Sequence, residues 1–71
     1  MPETIQSDLA ANVWKILVAV GDPVLPDEPL MILESMKMEI PVLAENSGVV
    51  SKLHVAEGDV VQEDDLIAVI D

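Results

Sequence analysis

The sequence predicts an all-β sandwich or barrel with approximate two-fold symmetry. Three observations carry this. Hydrophobic residues make up 51% of the chain, yet Trp14 is the only aromatic, so the core must be built from Val, Ile, Leu, Met and Ala, with a β-branched bias that favours strands. Prolines at 23, 26, 29 and 41 punctuate the chain too densely for helices. The sequence also repeats itself. With residue n laid against residue n+37, Val13 meets Val50, Lys15 meets Lys52, Val18-Ala19 meets Val55-Ala56, Gly21-Asp22 meets Gly58-Asp59, Val24 meets Val61 and Asp27 meets Asp64. No insertion or deletion is needed. Two units are too few for a solenoid, so the repeat reads as one domain over residues 1–71 folded about a pseudo-two-fold axis.

Each copy reads as a strand, a Gly-Asp turn, a short strand, an acidic turn and a second long strand. Trp14 to Val20 and Val49 to Val55 are the first long strand of each copy, and Leu30 to Ser35 and Leu66 to Ile70 are the second. Asp27-Glu28-Pro29 and Glu63-Asp64-Asp65 are the acidic turns. Period-two alternation places Ile16, Val18, Leu53 and Val55 in the core, because that face is apolar in both copies. Val13 and Val50 are apolar in both copies but have the opposite parity. A bulge or bend between 13 and 16, and again between 50 and 53, resolves the conflict. Trp14 and Leu17 are then left as an exposed apolar patch.

Net charge is −11, from 14 acids against three lysines. Nucleic-acid binding requires cationic neutralisation of phosphates, and an anionic membrane surface requires the same, so both are excluded as partners. The charge keeps copies of the chain apart and predicts a soluble monomer. No cysteine is present, so there is neither a disulfide framework nor a cysteine-based zinc site, and no metal site is predicted. The longest apolar stretch, Val13 to Val20, is too short to span a bilayer, and the N-terminus lacks a basic signal region, which makes the cytoplasm the expected compartment. A catalytic site is not expected. It would need a converging set of acid, base and nucleophile, and the chain has one His, no Cys and no evident room for a pocket.

One segment carries chemistry. Residues 34–41 read Glu-Ser-Met-Lys-Met-Glu-Ile-Pro. A strand enters at Leu30 to Ser35 and another leaves over Glu39 to Leu43, so Met36-Lys37 sits at the tip of a tight hairpin. The position is the join of the two copies, because the repeat-mate of residue 37 lies just beyond either terminus. The two-fold therefore sets this turn at the end of the molecule away from the termini. A tip gives the Lys37 amine maximum reach and minimum cover. Such an amine can form a stable amide on a long stem, although at neutral pH an ordinary lysine must first lose a proton. Lys15 and Lys52 occupy equivalent surface positions without methionine neighbours and are not expected to be modified. His54 reads as a solvated side chain.

Glu34-Ser35-Met36-Lys37-Met38-Glu39 resembles the attachment hairpin of biotinyl domains, found in biotin carboxyl carrier proteins and biotin-dependent carboxylases. The Gly-Asp-x-Val turns at 21 and 58 and the Ser47-Gly48-Val49-Val50 run fit the same family, and the likeness extends from about Asn12 to Asp71. It implies a flattened barrel-sandwich hybrid of two four-stranded antiparallel sheets. It also implies that a biotin protein ligase joins biotin to Lys37, with Met36 and Met38 read by the ligase and packed near the cofactor. The arm would then serve a biotin carboxylase and a carboxyltransferase, most simply those of an acyl-CoA carboxylase, with tethering raising its local concentration at both. The chain departs from the family pattern in having Ser35 where Ala is common, Asp27 and Asp64 where Gly is common, and Ser7-Asp8-Leu9-Ala10-Ala11 in place of a Pro-Met-Pro-Gly-like entry. Two rival readings keep the fold. One is a lipoyl domain of a 2-oxoacid dehydrogenase, against which Met36 and Met38 argue. The other is a non-carrier adaptor.

Overall fold

Eight strands of two to seven residues, separated by turns and loops, make up a computed structural model, which describes residues 2–71. They are β1 (Glu3–Gln6), β2 (Ala11–Ile16), β3 (Pro23–Val24), β4 (Pro29–Ser35), β5 (Met38–Leu43), β6 (Gly48–Leu53), β7 (Val60–Val61) and β8 (Leu66–Ile70). Two antiparallel four-stranded sheets result, ordered β1-β8-β6-β3 and β5-β4-β2-β7. The architecture is the flattened sandwich expected from the sequence.

The repeat is visible pair by pair. Glu3 faces Ile70 in one sheet as Ile40 faces Leu33 in the other. Ala11 faces Val61 as Gly48 faces Val24. Val13 faces Leu33 as Val50 faces Ile70. Each partner in the second sheet is displaced by the same 37 positions. Thus β1 is the counterpart of β5, and the start of β1 and the end of β8 occupy the place in one sheet that the Lys37 hairpin occupies in the other. Each sheet also takes strands from both copies. The Gly21 turn bonds to Val50 (Gly21 N–H to Val50 C=O, 2.8 Å), and the Gly58 turn bonds to Val13 (2.8 Å).

Both anticipated bulges are present. The register slips between Val13 and Lys15 and between Val50 and Lys52, leaving Trp14 and Ser51 as the extra residues. The consequence for the core is larger than the sequence reading allows. Val13 and Val50 are fully buried, whereas Ile16, Val18, Leu53 and Val55 are only partly buried and pack against the margin of the core. The bulge turns the apolar parity inward at 13 and 50, and by residue 16 the strand is leaving the sheet. For the same reason the first long strand runs over Ala11–Ile16 and not Trp14 to Val20, since residues 17–20 lie in the connecting loop. A second pair of bulges was not foreseen. Leu30 is extra between Pro29 and Met31, and Ile67 is extra between Leu66 and Ala68, so that two consecutive residues of each strand are buried.

The acidic turns have a structural use. Residues 19–22 and 56–59 form turns whose third residue is glycine at φ 98° and 93°, and the Asp22 and Asp59 carboxylates accept the N–H of Ala19 and Ala56 at 2.9 Å. In the turns 25–28 and 62–65 the third residue is Asp27 or Asp64, at φ 66° and 70°. Aspartate tolerates this left-handed conformation, so the two departures from the common glycine are accommodated. Glu28 and Asp65 accept the N–H of Leu25 and Gln62. The entry segment is tied to the second copy: Ser7 is buried, its N–H bonds to Asp65 C=O, and its own C=O accepts from Asp64 N–H.

Gly48 is held by a close approach and not by its backbone angle. A Cβ there would lie 2.5 Å from the Asp71 carbonyl oxygen and 2.8 Å from Ile70 Cγ2. Its counterpart Ala11 carries the methyl group without difficulty. Gly48→Ala is therefore expected to cost about 1–3 kcal/mol through forced displacement of the C-terminal strand, read as a lowered midpoint in thermal unfolding, while Ala11→Gly should cost less than about 1 kcal/mol.

The sheets do not close on each other between β1 and β5. That seam leaves a groove of about 320 Å³ lined by Ile5, Leu9, Leu33, Ile40 and Val42, with Glu3 at its rim. A concavity therefore exists where none was expected. The titratable groups lining it are Glu3, Asp8 and Glu45, with no histidine among them.

Candidate functional site: a lysine-bearing hairpin

β4 and β5 pair in register up to Ser35 and Met38, so only Met36 and Lys37 remain to turn the chain. A two-residue hairpin loop is best matched to strand twist when both central residues have positive φ, and here φ is 52° at Met36 and 65° at Lys37. Such loops favour Asn-Gly, because an ordinary side chain in the left-handed region is strained. Met-Lys is therefore a costly choice for this turn. Strain of this kind is kept where the side chains are needed for something other than stability. Replacing Met36-Lys37 by Asn-Gly is expected to raise stability by about 1–2 kcal/mol, or roughly 4–8 °C in melting temperature per kcal/mol for a domain of this size. Differential scanning calorimetry of the two proteins checks this.

The turn puts its side chains in solvent. Lys37 is exposed, Met36 is 91% exposed and Met38 is 64% exposed. The methionines therefore bracket the lysine without covering the end of the hairpin. Below them Glu34 and Glu39 face each other directly across the strands, both exposed. Like charges in this relation are destabilising, so the pair adds a second locally unfavourable feature to the hairpin. Asn12 is in register with Glu34, and Val60 with Asn12, so an exposed row runs Glu39, Glu34, Asn12, Val60 across the sheet. Asn12 and Val60 are not distinguished by the sequence, since their repeat-mates are Val49 and Pro23. Trp14 and Leu17 are exposed as anticipated, and Lys15 Nζ lies 5.6 Å from the Trp14 ring centroid. Trp14 lies two positions past Asn12 on β2. Lys15, Lys52 and His54 are exposed and lie outside the hairpin.

A lysine held out at the tip of a two-sheet body, with an exposed methionine on each side, defines a class of protein by its geometry: a small all-β domain with one lysine-bearing hairpin. The particular family follows from sequence likeness. The biotin/lipoyl family model, described as "Biotin-requiring enzyme", matches residues 1–70. The chain belongs to that family, and covalently attached biotin is the cofactor that membership implies. A biotinylated protein TB7.3 homolog of Mycolicibacterium smegmatis is 52% identical over 71 residues, covering 100% of both chains. Among solved structures, a Kluyveromyces lactis urea carboxylase has 39% identity and a TM-score of 0.94, the match covering 100% of this chain and 6% of that one. A single-chain long-chain acyl-CoA carboxylase has 25% identity and a TM-score of 0.90, over 96% of this chain and 7% of that one. The lipoyl domain of the 2-oxoglutarate dehydrogenase complex of Azotobacter vinelandii, at 26% identity and a TM-score of 0.83 over 96% and 94%, has the same fold.

Proposed function

We propose that this chain is a biotin carrier and that Lys37 is its attachment residue. The single observation that carries the reading is the hairpin tip: a solvent-exposed lysine on a strained turn, between two exposed methionines. The residues present suit the group. The primary amine supplies the nitrogen of an amide, and nothing at the tip obstructs an approaching enzyme. Bound biotin supplies the chemistry, accepting and releasing a carboxylate, and the chain supplies none of it. Met36 and Met38 offer apolar surface to a biotin protein ligase and to the enzymes the arm visits. Glu34 and Glu39, facing each other across the strands, mark the base of the hairpin with charge.

On this reading the chain is not itself an enzyme. It serves a biotin carboxylase and a carboxyltransferase of a biotin-dependent carboxylase, with an acyl-CoA as the acceptor. The likeness to a urea carboxylase and to a long-chain acyl-CoA carboxylase supports a carboxylase setting. The free chain is taken to be a cytoplasmic monomer, since a net charge of −11 opposes self-association.

Expression with a biotin protein ligase, followed by intact-mass measurement and peptide mapping, tests the reading. One biotin on the peptide containing Lys37 is the expected result. Lipoylation in its place, or no modification at all, overturns it in favour of a lipoyl carrier or an adaptor.

A further inference from the structure

The chain has no cysteine, so methionine is its only sulfur. The methionines described fall into two opposite environments. Met31 is fully buried in the core, whereas Met36 and Met38 are 91% and 64% exposed and flank Lys37. Oxidation of a thioether depends on access, and the sulfoxide product is polar where the parent was apolar. A peroxide would therefore reach the two methionines beside the lysine and spare the one that holds the core together. The chemistry balances without any other reagent. The peroxide O–O bond breaks, an S–O bond forms, sulfur is oxidised by two electrons and the remaining peroxide oxygen leaves as water.

We propose that Met36 and Met38 form a reversible oxidation site, with hydrogen peroxide or a similar two-electron oxidant as co-substrate, and that their oxidation gates the loading of Lys37. The proposal rests on the carrier reading above. Loading requires a ligase to hold the hairpin tip. The tip offers two exposed apolar side chains there, Met36 within the turn at φ 52° and Met38 on the first residue of β5. Conversion to sulfoxides puts a strong acceptor oxygen on each, which an apolar pocket leaves unpaired. The body of the domain is unaffected, because β4 and β5 remain paired up to Ser35 and Met38 and Met31 stays reduced. Methionine sulfoxide reductases restore the thioether, so the effect is reversible. Net charge does not change in either direction.

The test uses the full chain, treated or not with hydrogen peroxide, mapped by peptide mass and then offered to a biotin protein ligase. The expected map is one added oxygen on each of Met36 and Met38 and none on Met31. The expected rate of biotin incorporation falls by roughly tenfold or more, the scale on which an apolar pocket discriminates against a single altered group. Methionine sulfoxide reductase should return it. In a Met36→Leu/Met38→Leu double variant the ratio of treated to untreated rates should stay at unity, whatever its absolute rate. Equal loading of the untreated and oxidised proteins overturns the gate alone, as does oxidation of Met31 ahead of Met36. Absence of biotin on the untreated protein overturns both the carrier reading and the gate.

Discussion

Lys37→Arg is expected to give a fully folded protein that takes up no biotin. Arginine keeps the positive charge and the long aliphatic stem, and its Cβ meets the same backbone angle, so the turn loses nothing it had. What it lacks is an amine that can be deprotonated, because the guanidinium remains charged at any pH a protein tolerates. The loss should therefore be complete and not partial. Circular dichroism and the melting temperature should match those of the parent, while intact mass and avidin binding should show no incorporation after expression with a ligase. Biotin recovered on Lys15 or Lys52 in this variant would show that the attachment residue has been wrongly assigned.

Leu30→Ala and Ile67→Ala should each bring the domain close to unfolding. Both side chains are fully buried, and each is the extra residue of a bulge, so it is fixed between neighbours that cannot close over a void. Truncating a buried Leu or Ile to Ala costs about 2–5 kcal/mol. A chain of this length has a total stability of roughly 4–10 kcal/mol, so one such change removes a large part of it. The two positions are related by the two-fold, and their losses should be similar. Urea titration of both variants checks this. A loss below about 1 kcal/mol at either position would show that the bulge residues are not well packed.

Much of this is legible in the sequence. The repeat assigns partners across the two sheets, and the clash between alternation and the apolar Val13 and Val50 locates two of the four bulges. Lys37 at the join of the copies is readable from arithmetic on the sequence. Other features leave weaker marks. β1 and β5 are counterparts, yet of the pairs Glu3/Ile40, Thr4/Pro41, Ile5/Val42 and Gln6/Leu43 only one is alike, so the first strand is nearly silent. Strand ends along Leu17 to Val20 are obscured because an apolar run continues past the last paired residue. The bulges at Leu30 and Ile67 hide inside uninterrupted apolar stretches, where alternation has nothing to contradict. At the hairpin, motif and position name the lysine. The left-handed angles at Met36 and Lys37 and the facing acids Glu34 and Glu39 are matters of register, which a linear sequence does not display.

The sharing of strands between the copies has a consequence for the order in which the molecule is made. β8 is an interior strand, flanked by β1 and β6, and among the described residues β1 pairs with no other strand. β1 must therefore wait for β8 before it can join its sheet, and neither half of the repeat can shelter its apolar side chains alone. The Lys37 hairpin pairs only close neighbours, and a hairpin closes in about 1–10 μs. Sheets that depend on distant strands form in roughly milliseconds to seconds. On the ribosome the lysine turn is thus ready early, as a loose ribbon, while the rigid body that presents it is completed only once Leu66–Ile70 has emerged. A ligase that reads the finished body, and not the ribbon, would attach its cofactor only to chains that have folded.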